Sequence, residues 1–538
     1  MSGALALMLV VVAVAIAAVA RRSKLPAPLV LVVAGLALSF VPGIPNIELD
    51  PDVVLFGVLP PLLFNAALDS SYLNLRANIR PIALLSVGLV LFTTVVVGAV
   101  AYLVVGNEIG WPLALVLGAV VSPPDAVAAT AIARTLQLPR RILTILGGES
   151  LLNDATALTA YRIALIAAVG GGVSIWHGFG LFAVAVVVGI AVGLLLGYAG
   201  SWMLCRLSDP LVEVAIFLLL PFGAYALAEE FPFGALAVHD FHGSGVLAVV
   251  STGILLGRKM PKMHYATRLQ GSSVTATIDF VLETLVFGLI GLQLPSVIGA
   301  LHGRSAGQVI ILVVAVTLAV LVARIVWLFP ATYLPRRVSA RIRSREAPPS
   351  PAIVAVVAWA GMRGVVTLAA AYALPMTMQD GRPLQGRDLV LLCSFVVVLA
   401  TLLLQGLTLP WLIRRIRLPF DEGQADALAE AQAAQQAAQA AVERLEEIAE
   451  AELTPDAQVV EDLRNSAESR ANAAWERLGP QDETRQETPS ELYRRLRRDM
   501  LSRERSVYIS ERDAGRIDDE VLRRVQRELD LEEAMLDR

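Results

Sequence analysis

Apolar runs long enough, or nearly long enough, to cross a bilayer recur along the first 413 residues, separated by short polar stretches. They fall at 3–20, 27–42, 52–68, 81–105, 111–134, 141–169, 176–204, 211–229, 244–257, 278–300, 307–333, 352–375 and 388–413. This pattern predicts an all-α polytopic membrane protein with about thirteen transmembrane helices. Two runs are interrupted in matching fashion. The fifth contains Ser122-Pro123-Pro124-Asp125 and the twelfth contains Gly361-Met362-Arg363-Gly364. Proline removes a helical hydrogen bond, and glycine loosens the backbone on either side of Arg363. After Pro419 the apolar runs stop. Residues 424–452 are rich in Ala, Glu and Gln and favour helix, Pro455 breaks them, and a second helical stretch covers 456–478 up to Gly479-Pro480. Residues 489–537 predict one or two more helices with a break at Gly515. The pattern divides the chain into a transmembrane domain, 1–418, and a helical tail, 419–538.

Composition agrees with the pattern. Hydrophobic residues make up 56% of the 538-residue chain and charged residues 17%, a balance foreign to soluble globular proteins. Loop charge gives the orientation. Alternate loops collect twenty-one Arg and Lys, and the opposite loops hold Arg304, Arg382 and Arg387. The positive-inside rule then places the N-terminus outside and the C-terminus in the cytoplasm. The basic cluster Arg21, Arg22, Lys24 follows the first apolar run, so that run is expected to be a span and not a cleaved signal. Cys205 and Cys393 are the only cysteines and lie in or beside apolar runs, which argues against a disulfide framework or a zinc site. Four of the five histidines, His177, His239, His242 and His302, fall in expected loops on one side. Nothing in the charge distribution suggests nucleic acid as a partner.

The candidate chemistry lies in the sixth run. Glu149, Ser150, Asn153 and Asp154 interrupt a segment that is otherwise almost continuously apolar. A charge at membrane depth must be paired or neutralised, so it marks function by default. On a helix, Ser150 and Asp154 share one face, and Glu149 and Asn153 share the adjacent one. A hydroxyl and a carboxylate are hard oxygen ligands suited to Na+ or a similar cation. An acid withdrawn from water is neutralised by a cation or by a proton, and that competition at Asp154 is sufficient for exchange. Two readings of Glu149 stand: an ion pair with Arg363 that braces the broken helices, or a ligand. Asp125 at the fifth-run break compensates exposed helix ends or binds the ion. Glu283 pairs with Arg162 or Arg324, lines the cytoplasmic funnel, or acts directly. Asn65, after Pro60-Pro61, could reach the site through its amide. Paired interrupted helices are the sequence pointer to an inverted-repeat transporter with a midplane site, here with runs 4–6 and 11–13 as the two triplets.

The strings GGESLLNDATALTAYR (147–162), SPPDAVAATAIAR (122–134), VLETLVFGLIGLQLP (281–295), GMRGVVTLA (361–369) and LQGLTLPWLIRR (404–415) resemble the bacterial Na+/H+ exchangers of the monovalent cation:proton antiporter family 1, the NhaP-type and YjcE-like proteins. The tail stretch from Leu496 also resembles the YjcE-like tail. The resemblance implies a dimerisation domain and a core with two crossed broken helices. It implies a homodimer in the plasma membrane and no cofactor beyond the transported ions. Asp154 becomes the ion- and proton-binding acid, Ser150 a ligand, Glu149 and Arg363 a pair, and Asn153 the mark of electroneutral one-for-one exchange. The chain departs at Pro124, where the family often has Thr, and at Asn65, where it often has Glu. The leading reading is an antiporter that exchanges Na+ for H+, with Li+ or K+ as alternative cargo. Two other classes compete: a membrane sensor signalling through the tail, and an intramembrane protease built on Ser244 with His239 and His242.

Overall fold

The computed structural model describes residues 3–23, 25–41, 50–136, 138–170, 175–207, 209–229, 242–299, 305–340, 344, 348–378, 380–416, 422–451, 456–478 and 487–536. His239, His302, Arg304, Pro455 and the Gly479-Pro480 pair lie outside these residues. The chain divides into two compact units, Met1–Leu418 and Pro419–Arg538. Among the described residues the architecture is helical, with a lone β-bridge between Thr377 and Pro383.

The first unit contains helices at each of the expected runs. They are α1 (Gly3–Arg22), α2 (Ala27–Leu38), α3 (Val53–Leu68), α4 (Ile79–Val105), α5 (Gly110–Val121), α6 (Ala126–Thr135), α7 (Arg140–Val169) and α8 (Ile175–Leu204). There follow α9 (Pro210–Glu229), α10 (Gly245–Lys259), α11 (Tyr265–Leu292), α12 (Ala306–Val338), α13 (Pro351–Trp359), α14 (Val365–Tyr372) and α15 (Arg387–Ile416). Among the described residues, six segments are by themselves long and apolar enough to cross a membrane: Ile79–Val105, Gly180–Leu204, Pro210–Glu229, Thr267–Gly299, Ala306–Val338 and Arg387–Ile416. The two interrupted runs appear as the half-helix pairs α5/α6 and α13/α14, because Pro123-Pro124 and the Gly361–Gly364 stretch cannot continue the backbone ladder.

Helix packing relies on small residues, as expected where lipid removes most of the hydrophobic drive between helices. At Gly193 of α8 the backbone comes so close to α10 that Thr252 donates its hydroxyl to the Gly193 carbonyl at 3.0 Å. The short apolar run at 244–257 is a helix capped by Ser244, whose hydroxyl accepts from the Leu247 amide at 3.3 Å. That cap satisfies an otherwise orphaned helix-end donor. Most of α5, from Leu113 to Val121, is buried, so this half-helix is held largely by protein and not by lipid.

The second unit contains α16 (Glu422–Ala451), α17 (Ala457–Glu476), α18 (Pro489–Asp513) and α19 (Asp519–Leu536). The first two pack along Ala431, Ala467, Ala471 and Ala474. α18 opens with a capping box, Thr488 and Glu491, and the turn to α19 uses Gly515 at φ +71°. Leu501, Leu529 and Leu536 form its core, flanked by Arg497–Glu532 and Arg505–Glu533 pairs at 2.6 Å.

Candidate functional site

The site is built where the two breaks meet. The Asp125 amide donates to the Met362 carbonyl at 2.6 Å, so the fifth and twelfth segments touch at their interruptions. Gly364 lies against the Asp125 carboxylate so closely that a Cβ there would overlap it. Asp125 directly precedes α6 and Gly364 directly precedes α14. The carboxylate therefore stands between two helix N-termini, where exposed amides favour negative charge.

Arg363 supplies the opposite charge at the opposite helix ends. It is 1% exposed. Its Nε donates to the Val121 carbonyl at 3.0 Å, its Nη2 to Ser122 at 3.3 Å, and its Nη1 to Gly361. Its own amide donates to Thr401 Oγ1 at 3.0 Å. The Val121 and Ser122 carbonyls lie where α5 ends and that of Gly361 just past the end of α13, and a cation is the natural cap for such acceptors.

Unbroken α7 runs alongside this crossing and presents its polar residues to it. Asn153 donates Nδ2 to the Pro124 carbonyl at 2.7 Å, which ties α7 to the break. Its Oδ1 is buried and accepts no hydrogen bond. Asp154, 6% exposed, lines a cavity of about 340 Å³ together with Ser150, Asp125, Asp69 and Glu283. The cavity also reaches Arg140 at the start of α7 and Asn74 beyond α3. Its walls are mostly apolar, and it brings a carboxylate and a hydroxyl of one helical face into the same space as Asp125.

Three of the expected contacts are different. Glu149 is paired with Arg324, not with Arg363. Arg324 Nη1 and Nη2 meet its two carboxylate oxygens at 2.6 and 2.9 Å, and both side chains are at most 2% exposed. The same guanidinium also reaches the Val357 carbonyl of α13 at 3.1 Å. The reason is geometric: Arg363 sits inside the break and is consumed by the carbonyls beside it, whereas Arg324 enters from the middle of α12 with its fork free for a bidentate grip. The signal was available, since Arg324 is a lone charge in a long apolar run and must have a partner. Second, of the alternatives for Glu283 the described contacts support cavity lining, with no pair to Arg162 or Arg324 among them. Arg162 pairs with Glu229, and Glu283 faces the cavity. Third, Asn65 does not line the cavity; it donates Nδ2 to Asp279 of α11 at 2.7 Å, and Asp69, one turn on, lines the cavity instead.

Pro124, at the position where the resemblance implies a Thr, contributes its backbone carbonyl to Asn153. Ser244 caps α10, and the His242 Nδ1 lies 2.5 Å from the Glu229 carbonyl, so these two form no nucleophile–base couple.

Residues 8–415 match the family model described as sodium/hydrogen exchanger, transmembrane. An uncharacterised Na+/H+ exchanger of Mycobacterium tuberculosis is 34% identical over 524 residues, covering 96% of this chain and 92% of that protein. A sodium, potassium, lithium and rubidium/H+ antiporter of Bacillus pumilus is 31% identical over 399 residues, covering 72% of this chain and 58% of that protein. The sodium proton antiporter MjNhaP1 of Methanocaldococcus jannaschii shares the fold, with a TM-score of 0.58 at 16% identity over 76% of this chain and 97% of that chain. A helical multi-pass chain whose two broken segments meet beside a buried acid, matched in sequence over nearly all of its membrane unit, belongs to the sodium/hydrogen exchanger family of cation:proton antiporters.

Proposed function

We propose that the protein exchanges Na+ for H+, one for one and without net charge movement, by alternating access at Asp154. The observation that carries this is the placement of Asp154, nearly dry, beside Ser150 on the wall of a largely apolar cavity that reaches the meeting point of two broken helices. A carboxylate held at such depth has to be neutralised before it can move. A cation or a proton can do so, and each gives the site the same charge. Asn153 supports electroneutrality because it brings an amide and no second charge to α7. In this reading Asp125, Arg363 and Asn153 hold the breaks together, Ser150 and Asp154 take the ion, and Glu149 with Arg324 braces the core. The chain crosses the bacterial plasma membrane thirteen times as a homodimer, N-terminus outside and tail in the cytoplasm.

A second reading is broader cation selection, including K+. It is favoured by the Bacillus pumilus relative, whose name covers four alkali cations, and by Pro124, which offers no side-chain oxygen to the site.

The test uses everted vesicles holding a pH gradient, with Li+, Na+, K+ and Rb+ added in turn. Na+ is expected to dissipate the gradient most effectively, and Asp154→Asn to abolish the response to every cation. Exchange that survives Asp154→Asn would remove the proposal.

A further inference from the structure

A second cavity lies farther along α7, beyond Asp154 from the first. The first cavity runs from the Arg140 end of α7 to Asp154. The second, of about 520 Å³, begins at Leu158, one turn on, and continues past Thr159 to Arg162. Leu158 packs against two apolar clusters and lines the second space but not the first. Asp154 and Arg162 are eight residues apart, about 12 Å along a helix.

The second cavity has its own carboxylate. Glu229 ends α9 and is held from two sides. Gly245, the first residue of α10, donates its amide to Oε1 at 3.3 Å, and Arg162 donates Nη2 to Oε2. The first contact anchors the acid at a helix N-terminus, where negative charge is favoured. The second is a salt bridge of unequal partners: the Glu229 side chain is 16% exposed and that of Arg162 is 43% exposed. The guanidinium has open space to withdraw into, and the carboxylate does not. Arg162 rides on the same helix as Asp154, whereas Glu229 belongs to α9. A shift of α7 against α9 parts the pair.

If the protein alternates access at Asp154, a polar route is needed on both sides of it. The geometry points to the second cavity as the other mouth of that route, with Glu229 as a cation-staging carboxylate that Arg162 covers while the first cavity is open. Arg162 acts as a tethered counter-cation. Its withdrawal frees Glu229 to receive the monovalent cation on the face opposite Arg140. This inference rests on the proposed antiport and adds a residue to it.

The experiment compares right-side-out and everted vesicles, so that Na+ meets one mouth at a time. Glu229→Gln is expected to raise the KM for Na+ about tenfold from the second-cavity face, the loss of one charge pair in a partly hydrated space, and to leave the KM from the other face unchanged. Arg162→Gln is expected to lower the KM from the second-cavity face. An equal change from both faces, or none from either, assigns the pair to structure alone and overturns the inference. A second measurement does not need transport. In a Cys205→Ser background, with Cys393 buried, Thr159→Cys should react with a membrane-impermeant thiol reagent from the second-cavity face only. Labelling only from the Arg140 face would overturn the inference. Wild-type vesicles without exchange would refute the antiport proposal, and the labelling result would still decide whether the cavity opens where it is placed.

Discussion

The sharpest consequence of the structure is that Arg324, not Arg363, is the partner of Glu149. Removing one member of a buried pair leaves the other charged and desolvated. Two charge-assisted hydrogen bonds, at 2.6 and 2.9 Å, are lost with it. Each is worth about 1.5–3 kcal/mol, and breaking such a pair by single substitution typically costs ~3–5 kcal/mol. Glu149→Gln and Arg324→Met should each therefore destabilise the protein by ~3–5 kcal/mol. The double variant should recover most of that loss, because replacing both charges removes the desolvation penalty as well as the attraction. The assay is a double-mutant cycle on thermal unfolding of the purified protein in detergent, with the same cycle run for Glu149 and Arg363. A coupling of about 2 kcal/mol or more for Glu149–Arg324, and ~0.5 kcal/mol or less for Glu149–Arg363, is the expected outcome. Additive effects at Glu149–Arg324, or the larger coupling at Arg363, would refute the assignment.

Other outcomes follow from the same geometry. Gly364→Ala should abolish exchange, because the added Cβ overlaps the Asp125 carboxylate and pushes the two breaks apart; cation-driven gradient dissipation measures it, and wild-type rates in that variant would show the contact to be slack. Asn153→Ala should lower unfolding stability by about 1–3 kcal/mol, since the buried Pro124 carbonyl loses its donor; a thermal shift within error of wild type would contradict this. In the tail, the Arg495 guanidinium beside Glu487, and the Thr488 amide and hydroxyl at Glu491, hold both carboxyls below the usual range. A lowered folded-state value means that the stabilisation is present above the unfolded value and lost as pH falls through the folded one. The start of α18 should thus fray on acidification below the ordinary carboxylate range, seen as faster amide exchange at residues 490–492, and Thr488→Ala should show that exchange already at neutral pH.

Much of this was legible in the chain itself. Hydrophobic run length, the two interruptions and the change of character after Pro419 gave the helical segments and the tail, because bilayer thickness and backbone hydrogen bonding act on local sequence. That Glu149 and Asp154 need neutralising was legible for the same reason, since an acid in an apolar run is costly wherever it sits. Partners were not legible. Glu149 and Arg324 are separated by 175 positions, and Asn65 and Asp279 by 214. Arg162, Arg324 and Arg363 competed for the buried acids, and only the packing of α9, α12 and the two breaks around α7 decided among them. Local sequence fixes which groups must be neutralised, through desolvation. Which group neutralises which depends on a few ångströms of helix placement, and that is a property of the packed structure alone.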